Sequence, residues 1–337
     1  MEKLYTWLKL KAVKGLGEKS IKKLYRHFKN PGLVFEADLK ILEQLVGHTR
    51  AKNIKSKTFS FDPENVVKVV EKEGIGWTTL DMKDYPKLLK EIEDPPPVLF
   101  YVGNLRDIPL VGVVGTRNPD IYSVSFTKEI VQGIVSLNFG VASGGAKGID
   151  YLSHKFCVEA GGYTACFLGM GVLKAPEHLR KTVLKEGVLM SEFLPEEEPA
   201  EYTFVRRNRL ISGSSLLLLI IEAGEKSGAL ITAEFAHRQG RPIFAHIGVG
   251  KSPRWKGCVK LVNEGIAKAF SDLSDLGLNL QSKRLPEDDL ISLLVSPKTF
   301  EDLLTLTGMD PRSLMNKLTL YEIEGKIRRN GSYYTIA

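Results

Sequence analysis

The chain has 337 residues, of which 43% are hydrophobic and 26% charged, the composition of a globular protein able to bury a substantial core. Its longest apolar run, residues 216–221, is far shorter than the about 20 residues that cross a bilayer, and Lys9, Lys11 and Lys14 interrupt the first apolar residues where a secretory signal would have its core. A cytoplasmic protein without a membrane partner is expected. The net charge of +7 is concentrated in residues 1–60, which hold 14 Lys/Arg against 5 Asp/Glu, a balance that suits solubility or nucleic acid.

The first sixty residues read as a basic helical domain. Val13-Lys14-Gly15-Leu16-Gly17 precedes a segment, 19–28, whose Ile21, Leu24, Tyr25 and Phe28 recur at helical spacing. A helix-hairpin-helix of this kind either holds a DNA phosphate or serves as a packing unit. Residues 61–80 read as a helix and a short strand, and Asp94-Pro95-Pro96-Pro97 as a stiff connector. From there apolar strands (98–102, 111–114, 139–142, 164–168, 188–191, 216–221, 243–246) alternate with helices (123–137, 149–160, 176–185, 227–239). This alternation predicts a doubly wound, mainly parallel α/β sheet within a domain of residues 61–275. After a linker near 276–285, residues 285–337 read as three helices (288–295, 299–306, 311–324) with Thr299 as an N-cap, then a hairpin turning at Asn330-Gly331. Three helices and a hairpin make a winged helix. Its 6 Lys/Arg against 8 Asp/Glu fit protein contact as well as DNA.

Three cysteines, Cys157, Cys166 and Cys258, lack metal-ligand spacing and are odd in number, so they read as reduced packing residues. The six histidines form no metal motif, and neither a metal nor a cofactor is expected.

Function is read from turns that follow strands. Gly115-Thr116-Arg117 and Ser143-Gly144-Gly145-Ala146-Lys147-Gly148 each follow an apolar run and open a helix, which places both at the carboxyl edge where α/β sheets bind ligands. Gly115, Thr116, Ser143, Gly144, Gly145 and Gly148 are expected to let a phosphate approach the backbone, with Arg117 and Lys147 as cations. Glu222-Ala223-Gly224-Glu225-Lys226-Ser227-Gly228 repeats the pattern, with Ser227 as cap, Gly228 as approach point and Lys226 as cation. Arg206, Arg207, Asn208 and Arg209 stand beside the most apolar strand, where arginines face a partner or pair with carboxylates such as Glu192 and Glu222. The 248–255 segment offers Lys251, Arg254 and Trp255 as further basic and stacking groups, or is a loop with incidental charge; Tyr122, Tyr202 and Phe204 are stacking candidates or core residues. Asp150 and Glu222 have no His, Ser or Cys partner in view and read as structural.

Taken in order, Val113–Arg117, Ser143–Asp150, Phe167-Leu168-Gly169-Met170-Gly171, Ser191-Glu192-Phe193, Phe204–Gly213, Glu222–Ala233 and Gly257-Cys258 through Gly265 resemble the DNA-processing protein A (DprA/Smf) family across most of residues 80–270. The basic helical (helix-hairpin-helix/SAM-like) and winged-helix ends match its arrangement. The resemblance implies a Rossmann-like domain and a dimeric, non-enzymatic single-stranded DNA-binding protein. It further implies recombination-mediator work in natural transformation, protecting incoming strands and helping to load a RecA-type recombinase. It places DNA-binding positions at Arg117, Lys147, Arg206, Arg207, Asn208 and Arg209, with Lys226 and Lys251 as additions. Gly145, Val205, Val259 and Ala175-Pro176 depart from the family's usual residues. The runner-up is a nucleotide-cleaving phosphoribohydrolase-like enzyme of a related fold, whose PGGxGTxxE stretch is absent here; a dinucleotide oxidoreductase lacks its GxGxxG.

Overall fold

The computed structural model describes residues 1–248, 252–278, 290, 292–295, 297–307 and 309–336. Residues 1–276 form one compact unit, and the described residues from 277 onward form a second.

The first unit opens with helices α1 (Glu2–Ala12), α2 (Glu18–Phe28), α3 (Leu33–Glu36), α4 (Leu39–Val46), α5 (His48–Lys55) and α6 (Pro63–Lys72). Gly15, at φ +78°, makes the left-handed turn between α1 and α2. Asp62 caps α6 by accepting from the Glu64 N–H at 2.9 Å, with Pro63 in the first turn, where its missing N–H costs nothing. Leu4, Trp7, Leu8 and Leu24 are fully buried and share one hydrophobic core with Leu99, Phe100, Phe167 and Leu189 of the sheet. Trp7 Nε1 adds a hydrogen bond to Asp81 Oδ1 at 3.0 Å, and Lys22 Nζ donates to the Ile92 carbonyl.

The sheet has nine strands: β1 (Gly76–Thr79), β2 (Val98–Gly103), β3 (Leu110–Gly115), β4 (Gly140–Ser143), β5 (Thr164–Phe167), β6 (Val188–Ser191), β7 (Ser215–Ile221), β8 (Ile243–His246) and β9 (Lys268–Ala269), in the spatial order 1-2-6-5-4-3-7-8-9. Strands β3 to β9 are mutually parallel, and only β2 runs against its neighbours β1 and β6. Burial on both faces is why the central strands read as unbroken apolar runs. The connections hold α7 (Lys87–Glu91), α8 (Ile121–Ser136), α9 (Ile149–Glu159), α10 (Glu177–Val183), α11 (Glu201–Gly213), α12 (Gly228–Arg238) and α13 (Lys256–Asn263). Winding reverses at β3: β4, β5 and β6 build to one side, β7, β8 and β9 to the other. The carboxyl ends of β4, β3 and β7 therefore stand side by side.

The second unit contains β10 (Lys298–Thr299), α14 (Phe300–Thr307), α15 (Pro311–Ile323), β11 (Ile327–Asn330) and β12 (Tyr333–Ile336), with β12 between the other two in an antiparallel sheet. Thr299 caps α14, its Oγ1 accepting from the Asp302 N–H at 3.1 Å while Asp302 Oδ2 accepts from the Thr299 N–H at 2.9 Å. Leu303, Leu314, Leu318, Tyr321, Ile327 and Tyr334 form its core. Of the helix expected over 288–295, Ser292–Val295 is a single 3-10 turn, and residues 288, 289 and 291 lie outside the described residues.

Candidate nucleic-acid interface

The turns after β4, β3 and β7 place Lys147, Arg117 and Lys226 on three adjacent strand ends, all three exposed. With strands about 4.8 Å apart, their backbones span a row of about 10 Å. Lys256, exposed at the first position of α13, stands on the same edge after β8, one strand further along; a single lysine in mixed sequence gave no signal for it.

The glycines of these turns have a different role from the one expected. Most are required by neighbouring protein atoms. A Cβ on Gly115 would strike the Ile221 carbonyl, and one on Gly144 the Arg207 guanidinium. Gly148, at φ +90°, lies against the backbone of Thr116 and Arg117, and the Ile149 N–H donates to the Thr116 carbonyl at 3.0 Å, so the first two turns are joined to each other. Gly145, the departure from the family residue, sits at φ +70° with Leu179 Cδ1 2.8 Å from the place of a Cβ, and both conditions favour glycine. Ser143 is buried and donates to the Val113 carbonyl at 2.6 Å, and Thr116 Oγ1 accepts from the Asn118 N–H at 3.3 Å. Only the last turn keeps its expected openness. Ser227 Oγ accepts from the Ala229 N–H at 3.3 Å and nothing lies within 4 Å of a Cβ on Gly228.

The arginine cluster requires a larger correction. Residues 201–213 form α11, and helical spacing turns its arginines inward. Arg207, 4% exposed, donates to the carbonyls of Gly144 and Phe167, and its Nε holds Asn208 Oδ1 at 3.2 Å. Arg209, 3% exposed, pairs with the fully buried Glu192 and with Asp94, to whose carbonyl it donates at 2.5 Å. Arg206 is half-buried, bridging Glu18 of α2 and Glu192, the latter at 3.2 Å. Neither Arg207 nor Arg209 faces solvent, and Asn208 is half-buried and held by Arg207. Burial raises the pKa of Glu18, but Lys11 and Arg206 outweigh it and hold the carboxyl below its ordinary value.

Asp150 is buried behind the second turn. Burial raises its pKa against the opposing pull of Arg207 and the backbone N–H groups of Gly115, Ala146 and Gly144. Glu222 is equally committed, accepting from Arg254 Nη1 at 2.7 Å and from the Asp120 N–H at 3.0 Å. Trp255 is 1% exposed, which removes it as a stacking surface; Tyr122 and Tyr202 are exposed and Phe204 half-buried. Lys251 lies outside the described residues. Cys157, Cys166 and Cys258 are buried free thiols, each pushed up to about 12 by burial. Among the described residues no group of His, Cys, Asp and Glu could hold a metal ion, and no helix is long and apolar enough to cross a membrane.

The fold and edge thus define a doubly wound α/β protein with solvent-facing cations at the reversal of its sheet. Residues 76–281 match the family described as DNA recombination-mediator protein A, and the chain belongs to that family. It is 33% identical over 309 residues to protein Smf of Synechocystis, covering 86% of this chain and 78% of that protein. It is also 34% identical over 240 residues to the DNA processing protein DprA of Bacillus subtilis, covering 67% and 79%. The solved structure of DprA from Streptococcus pneumoniae superposes with a TM-score of 0.70 at 30% identity, covering 81% of this chain and 96% of that one. DNA processing protein A from Helicobacter pylori, whose structure was described for its single-stranded DNA binding mode, superposes at 0.53 with 25% identity over 59% and 93%.

Proposed function

We propose that this protein is a non-catalytic, cytoplasmic, homodimeric single-stranded DNA binder that protects incoming strands and helps a RecA-type recombinase assemble on them. The observation that carries the reading is the row Lys147, Arg117, Lys226 on consecutive strand ends. A polynucleotide presents phosphates in series and can meet every cation in such a row, releasing counterions as it does so. Three further points support it. The relative from Helicobacter pylori is described as binding single-stranded DNA. Asp150 and Glu222, the two acidic residues singled out in the sequence, are buried, and Glu222 is ion-paired with Arg254, so neither presents an open carboxylate to a substrate at the edge. The second unit, with two α-helices and an antiparallel hairpin among its described residues, is read as a winged helix suited to DNA or to protein contact.

The test is anisotropy titration of labelled single-stranded and duplex oligonucleotides at several salt concentrations. Single strands should bind more tightly, and Arg117→Ala, Lys147→Ala and Lys226→Ala should each weaken binding and reduce the salt slope by about 0.7. Equal affinity for duplex, or unchanged affinity in all three variants, would overturn the reading. Free base released from nucleoside monophosphates by the wild type and lost in an edge variant would favour the phosphoribohydrolase alternative.

A further inference from the structure

The crevice between β3 and β7, where the sheet reverses its winding, is the usual ligand position of an open α/β sheet. Here a protein carboxylate occupies it. Glu222 directly follows β7 at φ +54°, a left-handed conformation uncommon for a residue with a side chain, and is 1% exposed. Its Oε2 accepts from the Asp120 N–H at 3.0 Å, in the connection between β3 and α8, and its Oε1 accepts from Arg254 Nη1 at 2.7 Å. The same Nη1 donates to the Asn118 carbonyl at 2.8 Å, so one carboxylate ties together the segments that follow β3, β7 and β8. A backbone N–H and an arginine are the donors that a bound phosphate would take. Such a backbone conformation persists where the surroundings over-determine it, and these two hydrogen bonds do so.

We infer that Glu222 is a built-in anion. Its carboxylate stands where a nucleotide phosphate would otherwise bind, keeps mononucleotides out of the crevice, and holds Arg254 at the rim as a further contact to a strand's phosphates. Arg254 suits that task because half of its side chain, 51%, remains exposed beyond the ion pair. The exclusion of mononucleotides stands on the geometry alone, whereas the role of Arg254 rests on the single-strand reading above.

Two variants test the exclusion. Glu222→Gly removes the carboxylate and suits the left-handed backbone, while Glu222→Gln keeps the volume and removes only the charge. In calorimetric titrations with inorganic phosphate and with dAMP, Glu222→Gly should bind at least about tenfold more tightly than the wild type, because Arg254 and the Asp120 N–H are left to an external anion. Glu222→Gln, whose amide still fills the crevice and whose oxygen still accepts from one of the two donors, should gain less than Glu222→Gly. Adding Arg254→Ala to Glu222→Gly should abolish the gain. No gain in Glu222→Gly, with circular dichroism confirming the fold, overturns the exclusion, as does a gain that survives the double substitution.

Arg254→Ala alone should weaken single-strand binding several-fold and lower the salt slope by about 0.7. Unchanged affinity and slope in that variant, while Arg117→Ala still weakens binding, overturns the role of Arg254 and leaves the single-strand reading intact. If the wild type binds no single strands, that reading and the role of Arg254 fall together, and the phosphate titrations alone decide the exclusion.

Discussion

Two groups of cations in this chain look alike in sequence and have opposite fates. Arg206, Arg207 and Arg209 lie within four residues on one helix, and their charge is taken up by Glu18, Glu192, Asp94 and three carbonyl groups. Arg117, Lys147 and Lys226 are scattered over more than a hundred residues, yet the topology sets them on neighbouring strand ends facing solvent. Local density of charge reflects what a helix must satisfy inside the protein. Position relative to the strand ends decides what meets a ligand.

The strongest way to break this contrast is Arg207→Met. If the guanidinium is internal scaffolding, its loss strands two buried carbonyls and should cost about 3 kcal/mol, read as a lower urea midpoint. A variant with an unchanged midpoint and only weaker DNA binding would return Arg207 to the interface.

His154 tests the inward side by pH. Its Nδ1 donates to Thr164 Oγ1 at 2.6 Å, Thr164 in turn donating to the Val141 carbonyl, and burial lowers its pKa to about 3. The unfolded imidazole takes a proton below about 6.5 while the folded one stays neutral, so stability present above that value is lost on acidification. The loss from this group should be about 2 kcal/mol between pH 6.5 and 4.5. Urea midpoints followed across that range should fall less steeply in His154→Asn.

Gly148→Ala sharpens the contrast at the turns. Its Cβ would meet the backbone of Thr116 and Arg117 at a positive φ, and a loss of about 2 kcal/mol in thermal or urea unfolding is expected. The same change at the open Gly228 should alter stability by no more than about 0.5 kcal/mol. The smallest effect on stability belongs to Lys147→Ala, also within about 0.5 kcal/mol, even as its affinity for single strands falls.

Most of the sheet was legible because buried parallel strands are apolar throughout. The strands expected at 188–191 and 243–246 coincide with β6 and β8, and the four helices expected between strands recur within two residues of their bounds. The carboxyl-edge placement of Arg117, Lys147 and Lys226 followed from the same alternation. Three things were not legible. β9 is a two-residue strand with both residues exposed, so it carries no hydrophobic signal. α11 buries Thr203, Arg207, Arg209 and Leu210 together, which erases the apolar stripe that marks an amphipathic helix. The partnership of Glu18 with Arg206 spans 188 residues and depends on how α2 packs against α11, which no local pattern records.

The hydrogen bond from the Ile149 N–H to the Thr116 carbonyl has a consequence for the thermodynamics of binding. It fixes the anchor points of Arg117 and Lys147 before any ligand arrives, so the ordering that accompanies association falls on the nucleic acid and on two side-chain tips. The sheet acts as a ruler of set pitch. A flexible strand can bend its backbone to that pitch, whereas a duplex has its phosphate spacing already set by base stacking.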